Sequence, residues 1–351
     1  MESLQEVIRT IEKYDSISFY EVKNGTIYVH SNSIKISSLT FRSIFNELKQ
    51  KGYVTKLQPY GGLSTQYVYV VFKGRTYADQ KILTPLILSL VSFAVTIVSL
   101  YYNSFYFLYA NNFYYASIFI ASVVIFLAFH SLGHFIAEKK YNLKNSLPIF
   151  LPAPIYGTYG LVARLREIFI DRIQTFDFAF LGITFSILPT FIFLVLGLEF
   201  SKIALKPEVT SLNNPFPLPF IIYIILEYLV PKNSVYLMHP LFVASIVNLL
   251  LLFISIAPIT QLDGGFMAIS LIGPKRFIFY IVSLISIIAF IIAQLFFVAF
   301  LALYLTLFFK FEPLNTVSEL DRKRKIIFAI LIVLWILIIP AFNSQKYSLL
   351  E

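Results

Sequence analysis

Not one cysteine occurs in the 351 residues. That excludes a disulfide scaffold and any thiolate metal site, and it leaves the chain without a redox-compartment signal. Charge is scarce as well: 13% of residues are Asp, Glu, Lys or Arg against 58% that are hydrophobic, and mean hydropathy is +0.77. A soluble domain of this length does not have that balance, whereas a polytopic membrane protein does. Only four histidines are present, so two on one helical face would be unusual. The formal charge of +9 is not laid out as a basic stripe with interleaved aromatics, which argues against nucleic acid as a partner. The basic residues gather instead in short loops beside apolar runs, where they orient a chain in a lipid bilayer and meet anionic headgroups. The opening residues Met1-Glu2-Ser3-Leu4-Gln5-Glu6 lack the basic and then apolar regions of a signal peptide.

Residues 1–78 read as a small soluble α/β domain. Leu4, Val7, Ile8 and Ile11 repeat at the i, i+3, i+4, i+7 spacing of an amphipathic helix. Two strand-like runs, Ile17 to Val22 and Thr26 to His30, flank the turn signal Asn24-Gly25. Phe41, Ile44, Phe45 and Leu48 form a second helical stripe, which Gly52 is placed to stop. Two further strands, Tyr53 to Leu57 and Gln66 to Phe72, lie on either side of Gly61-Gly62. No cluster of catalytic residue types occurs here, so the expected role of the domain is regulation or docking.

Residues 82–345 have a different character and predict a polytopic α-helical membrane core of about six to seven spans. Apolar runs at about 82–102, 113–137, 173–197, 240–262 and 326–343 are each a candidate crossing of a ~30 Å hydrocarbon layer. Phe220 to Val230 is apolar but short and holds Glu227, which suits a re-entrant or interfacial segment. Residues 277–309 would be about 50 Å long as one helix, so two short spans turning near Gln294 are expected. Lys139, Lys140, Lys144, Arg164, Arg166 and Arg172 follow the second run, and no basic residue separates the first run from the second. The bias puts the basic loop, and with it the N-terminal domain, in the cytoplasm. Two crossings within 277–309 bring Arg322-Lys323-Arg324-Lys325 to the same side, which favours seven spans over six.

Chemistry enters with His130-Ser131-Leu132-Gly133-His134, near the end of the second run. Side chains at i and i+4 share a helical face, so both imidazoles can reach one metal ion. The 240–262 run leads into Gln261-Leu262-Asp263-Gly264-Gly265, and Asp263 would arrive at the same depth. Asp-Gly taken alone is a common turn signal, but its place at the end of an apolar run favours a ligand. Two histidines and one aspartate leave a fourth position open, the plan of a catalytic zinc site. A histidine within the membrane is costly unless paired, which supports a functional reading of the pair. His30 and His239 lie outside these segments, where surface or loop roles suffice.

With these segments in view, the chain resembles the site-2 protease family of intramembrane zinc metalloproteases. It is most similar to the branch of archaea and chloroplasts, in which an N-terminal domain precedes the membrane core. His130-x-x-x-His134 matches the family's His-Glu-x-x-His helix, and Pro258-x-x-Gln261-Leu262-Asp263-Gly264-Gly265 matches its Leu-Asp-Gly segment. Leu147-Pro148-x-Phe150-x-Pro152-x-Pro154 and Gly157-Thr158-Tyr159-Gly160 resemble that branch's proline-rich loop and Gly-Thr-Phe-Gly turn. Phe176-Asp177 with Gly182 resembles its third core span, and Glu312-Pro313 to Leu320-Asp321-Arg322-Lys323-Arg324 resembles its C-terminal linker. The resemblance implies one Zn2+ held by His130, His134 and Asp263, and cleavage of transmembrane protein segments near the cytoplasmic face. Gly157 and Gly160 are then candidates to hold an extended substrate by backbone pairing, and Gln261 is a candidate contact to the ligand or to a substrate amide.

Four departures bear on catalysis. Ser131 stands where the family has its general-base glutamate, Leu181-Gly182-Ile183 replaces Ala-Gly-Pro, Ser255 replaces an asparagine, and Phe266 replaces a histidine. Serine is neither a base nor an acid near neutral pH, and losing a positioned base costs about 10²–10⁴ in rate. Glu138 lies on a similar face eight residues past His130, but about 12 Å along the helix, which argues against it as a substitute. The expectation is a weakened or inactive member that binds membrane segments. The rivals are an active protease with another base, and a transporter using the same three residues as an ion path. A transporter would be expected to show inverted repeats, which the sequence lacks.

Overall fold

The computed structural model describes residues 2–33, 35–60, 66–74, 83–109, 112–144, 147–154, 156–205, 217–231, 233–342 and 347–349. Near the N-terminus, α1 (Glu2–Glu12) and α2 (Ser38–Gln50) pack on a four-stranded antiparallel sheet. Its strands are β1 (Ile17–Lys23), β2 (Thr26–Ser31), β3 (Tyr53–Pro59) and β4 (Tyr67–Lys73), in the order β1-β2-β4-β3. Asn24 and Gly25 both have positive φ, 49° and 75°, the backbone that a two-residue hairpin loop needs. Ser37 caps α2 by accepting from the Thr40 amide, and Gly52 follows its end at φ 81°. Phe41, Phe45, Leu48, Val29 and Tyr69 fill the space between helices and sheet. Asp15 ties the sheet to the α1 end by accepting from Tyr69 Oη (2.8 Å) and Ser31 Oγ (2.7 Å). Burial, with the Asp15 carboxylate, pushes the Tyr69 hydroxyl well above its ordinary value, so it stays a donor. His30, expected at the surface, is buried on β2 with its ring stacked on Phe19 at 4.0 Å. The expected turn at Gly61-Gly62 lies outside the described residues.

The rest of the described chain is mostly helical. Among the described residues, three helices are long and apolar enough to cross a membrane. They are α3 (Leu83–Tyr102), which continues as a π-helix over Asn103–Leu108, α4 (Phe113–Tyr141) and α5 (Arg172–Phe200). Shorter apolar helices follow: α6 (Phe220–Leu229), α7 (Pro240–Ile256), α8 (Asp263–Ile272), α9 (Arg276–Ile292) and α10 (Phe296–Phe308). Last comes α11 (Arg322–Leu337). Nearly every residue of α7 is buried, as expected of a helix apolar all round that serves as the core of a bundle. Large apolar side chains such as Val98, Phe277 and Phe300 point outward and exposed, an arrangement that lipid stabilises and water does not.

The apolar stretch 277–309 divides into α9 and α10 where expected, at Gln294, whose φ is +59°. The run at 240–262 is not one helix. It stops at Ile256, because Pro258 disfavours helical backbone at Ala257 (ψ 131°), and Asp263 opens α8 instead of ending a span. Between α4 and α5 the proline-rich loop is a β-hairpin of β5 (Leu147–Ala153) and β6 (Gly157–Arg164), with an irregularity at Leu151/Pro152. Short strands β7 (Lys202–Leu205), β9 (Ser234–Met238) and β11 (Tyr347–Leu349) pair at the opposite end, as do β8 (Leu218–Pro219) and β10 (Pro340–Phe342).

Candidate metal centre

His130 and His134 lie in α4, and the glycines around them explain how a third ligand reaches them. A Cβ on Gly133 would lie 2.2 Å from the Leu181 carbonyl oxygen, and one on Gly182 would lie 2.5 Å from His134 Cε1. The two long helices therefore meet backbone to backbone, a contact that only small residues permit. The same device seats the third residue. Cβ atoms on Gly264 and Gly265 would fall 1.8 Å and 1.9 Å from the carbonyl oxygens of Ile256 and Ile259. The chain after α7 thus folds tightly under the first turn of α8, and Asp263 is carried into the gap beside α4. Its carboxylate sits in that first turn, where the helix dipole favours negative charge.

All three side chains are buried, and their ligand atoms lie within 4.8 Å of one another. The distances are 3.1 Å from His130 Nε2 to His134 Nε2, 3.0 Å from His130 Nε2 to Asp263 Oδ2, and 3.5 Å from His134 Nε2 to Asp263 Oδ1. Hydrogen bonds behind the rings assign the tautomers. His134 Nδ1 is 3.1 Å from the Phe178 carbonyl, which can only accept, so Nδ1 carries the proton. His130 Nδ1 is 3.3 Å from Ser186 Oγ, and that hydroxyl already donates to the Gly182 and Ile183 carbonyls, so here too Nδ1 is the donor. In the neutral tautomer this leaves both Nε2 atoms bare, facing each other and the Asp263 carboxyl group. One cation can meet all three groups from that arrangement. Ligand atoms about 3.3 Å apart are what a tetrahedral zinc with bonds of about 2.0–2.1 Å requires. The group is compatible with a metal site.

Ser131 is one residue from His130 but donates back to the Leu127 carbonyl at 3.0 Å, in the manner of a helix serine. With His134, Phe135, Glu138, Pro148, Leu161 and Ala163 it lines a cavity of about 160 Å³ between α4 and the hairpin. Glu138, judged remote by its rise along the helix, is buried and opens on this same cavity. On the other side of Leu161, a narrower apolar cavity runs from Leu262 and Ser255 between β6 and α10. Gly157 and Gly160 stand in the hairpin with φ of 78° and 96°. A Cβ on Gly157 would lie 2.8 Å from Leu100 Cα, which makes it a packing position against α3. Gln261 has φ +73°, and among the described residues no hydrogen bond joins its amide to the three ligand side chains.

The chain is similar over parts of its length to curated chloroplast proteins. It is 28% identical over 145 residues to the probable zinc metalloprotease EGY1, chloroplastic, of Arabidopsis thaliana, a match covering 40% of this chain and 26% of that protein. Against the protein of the same description from Oryza sativa subsp. japonica, identity is 27% over 143 residues, 39% of this chain and 25% of the relative. The probable zinc metalloprotease EGY2, chloroplastic, of Arabidopsis thaliana is 24% identical over 152 residues, or 42% and 27%. The similarity is to zinc metalloproteases. It is weak, and the chain matches about a quarter of the length of each of these relatives. No family model matches the sequence, and no solved structure matches the fold.

Several residues around the centre have roles that no sequence motif announces. Ser186 and the Phe178 carbonyl orient the imidazoles, yet neither belongs to a recognisable motif. Arg172, counted as a loop charge, is buried in α5 and donates to three backbone carbonyls, those of Ser270, Leu271 and Ser318. Asp177 of α5, noted in the sequence only as part of the third core span's motif, joins three helices. It accepts from Lys140 Nζ (2.8 Å) and Tyr141 Oη (2.5 Å) at the end of α4, and from Arg324 Nε (2.6 Å) and Nη2 (2.8 Å) of α11. The one available signal was its pairing with the basic quartet that opens α11.

Proposed function

We propose that this chain is a multi-pass membrane metalloprotein of the site-2 protease type. It binds transmembrane protein segments near the cytoplasmic face, and cleavage is weakened or absent because Ser131 occupies the general-base position. The observation that carries the reading is the convergence of His130, His134 and Asp263 with both imidazole Nε2 atoms bare and turned towards the carboxylate. One zinc ion, held by these three groups with a fourth position open, would polarise a carbonyl and acidify a water.

The chain's own residues supply orientation and shelter. Ser186 and the Phe178 carbonyl hold the rings, Gly182 leaves room for His134, and the helices around α7 keep bulk water out. Proton transfer is what is missing, since the Ser131 hydroxyl is neutral and engaged with Leu127. An extended segment pairing with the hairpin at Gly157 and Gly160 would run between the two cavities that flank Leu161, with Gln261 near its path. The basic loop residues and the turn at Gln294 support seven spans with the N-terminal domain in the cytoplasm.

The deciding experiment measures metal content and cleavage of a transmembrane substrate in wild type and in Ser131→Glu. One zinc per chain in both, with cleavage at least ~10²-fold faster in the glutamate variant, is the expected outcome. Chelator-sensitive cleavage by wild type at the rate of the variant would assign the base elsewhere. Absence of metal from both would remove the metal reading.

A further inference from the structure

The linker between α10 and α11, singled out in the sequence for its motif, does no chemistry in the reading above. In the structure it is a strap held on both sides. Towards the N-terminal domain, the Leu57 amide donates to the Leu314 carbonyl (2.8 Å), and the Thr316 amide donates back to the Leu57 carbonyl (3.3 Å). Towards the membrane core, the amides of Leu314 and Asn315 donate to the carbonyls of Phe169 and Ile170 (2.9 and 2.8 Å). Leu314 is 2% exposed and is part of the N-terminal domain's own apolar core. Asn315, fully buried, braces the strap by accepting from the amides of Val317 and Ser318.

Two further contacts converge on the same place. Arg42 of α2 makes a two-pronged ion pair with buried Asp171, at 2.5 and 2.9 Å. The next residue, Arg172, is divided between strap and metal-ligand helix. Its Nη1 donates to the Ser318 carbonyl (3.1 Å), while Nε and Nη2 donate to Ser270 and Leu271 (2.5 and 2.7 Å), in the last turn of α8. Asp263 is at the other end of that helix.

We propose that the seating of the N-terminal domain is transmitted to Asp263 through the strap at 314–318 and Arg172, which makes Arg172 a positioning residue for the metal-ligand helix. α8 has only ten residues, is stiff over that length, and is clamped at both ends. Gly264 and Gly265 clamp it against the preceding backbone, and Arg172 clamps it through otherwise unsatisfied terminal carbonyls. A guanidinium with three buried acceptors is held in place. Withdrawing the strap removes the acceptor at Ser318 and leaves a buried charge under-satisfied, so the side chain must move and its hold on α8 loosens. Lifting the N-terminal domain withdraws the strap, because Leu314 is anchored in that domain's core. The link to metal rests on the metal reading above, whereas the link between strap and α8 does not.

The test uses the full chain in lipid nanodiscs and follows hydrogen exchange in segments 263–272 and 314–318. Arg42→Ala and Leu314→Asp unseat the domain from either side of the strap, and each is expected to raise exchange in both segments roughly tenfold. Arg42→Lys, which restores the charge, returns exchange to near wild type, and Lys13→Ala, which breaks an ion pair far from the strap, has no effect. Arg172→Met raises exchange in 263–272 with the N-terminal domain still seated. Faster exchange in 314–318 with 263–272 unchanged, or no change at 263–272 in either unseating variant, overturns the proposal. The visible spectrum of cobalt-loaded protein is the second readout. It shifts in Arg42→Ala and recovers in Arg42→Lys if Asp263 moves with α8. Wild type that takes up no cobalt refutes the metal reading, and the exchange data still decide the coupling.

Discussion

Gly182 shows how much of the centre depends on an absent methyl group. Its α-carbon faces the His134 ring so closely that a Cβ would sit 2.7 Å from Nε2, the atom that meets Asp263. Gly182→Ala is therefore expected to push the imidazole off its partners. The cost in stability is about 1–3 kcal/mol for overpacking, and the larger effect is loss of metal affinity by at least about tenfold. Titration with a competing chelator measures it; unchanged affinity would mean that the ring has slack the structure does not suggest. Ser186 belongs to the same layer, since its hydroxyl determines which His130 nitrogen is bare. The ligands themselves were visible in the sequence because i, i+4 spacing is a local property. Their supports were not, because a hydroxyl or a carbonyl gains its role only when another helix packs against it.

Helix ends, more than helix interiors, separate expectation from structure. Apolar runs located α3, α4 and α5 to within a few residues, since composition over a long window is a strong signal. Pro258 was visible too, but an apolar stretch continuing past it hid the break that makes α8 a separate helix. His239, set aside in the sequence as a loop residue, is the N-cap of α7: its Nδ1 accepts from the Leu241 amide at 3.3 Å. Only the neutral ring can do this, and burial holds its pKa below the ordinary value of 6.5. A group with a lowered folded-state pKa stabilises above its unfolded value, and that contribution is lost as pH falls through the folded one. The melting temperature of wild type should accordingly fall more steeply below pH 6.5 than that of His239→Asn, which caps without titrating. Parallel pH profiles for the two proteins would remove this role.

In the molecule as a whole, the N-terminal domain and the membrane helices are joined by more than their covalent link. The strap, the Arg42–Asp171 pair and the Lys49–Glu167 pair (3.0 Å) tie together segments that the sequence presents as separate regions. Within the helical part, Asp177 of α5 gathers α4 and α11 in turn. The proposed seven-span orientation has a direct test, made clean by the lack of cysteine. An impermeant maleimide should label Phe113→Cys in intact cells, and should label Glu12→Cys and Lys323→Cys only after permeabilisation. Labelling of Lys323→Cys from outside would instead give six crossings and a single span at 277–309.

Composition and periodicity determined the class of this protein: apolar runs that must be helices, an amphipathic N-terminal domain, and two histidines on one helical face. Each of these is carried by windows short enough for neighbouring residues to enforce, through backbone hydrogen bonding and the burial of one face. The approach of Asp263 to that face, the bare nitrogens it meets, and the strap that ties α8 to the N-terminal domain arise from packing between distant segments. There the decisive atoms are glycine α-carbons and main-chain carbonyls, whose partners are chosen by the folded bundle and leave no pattern along the chain.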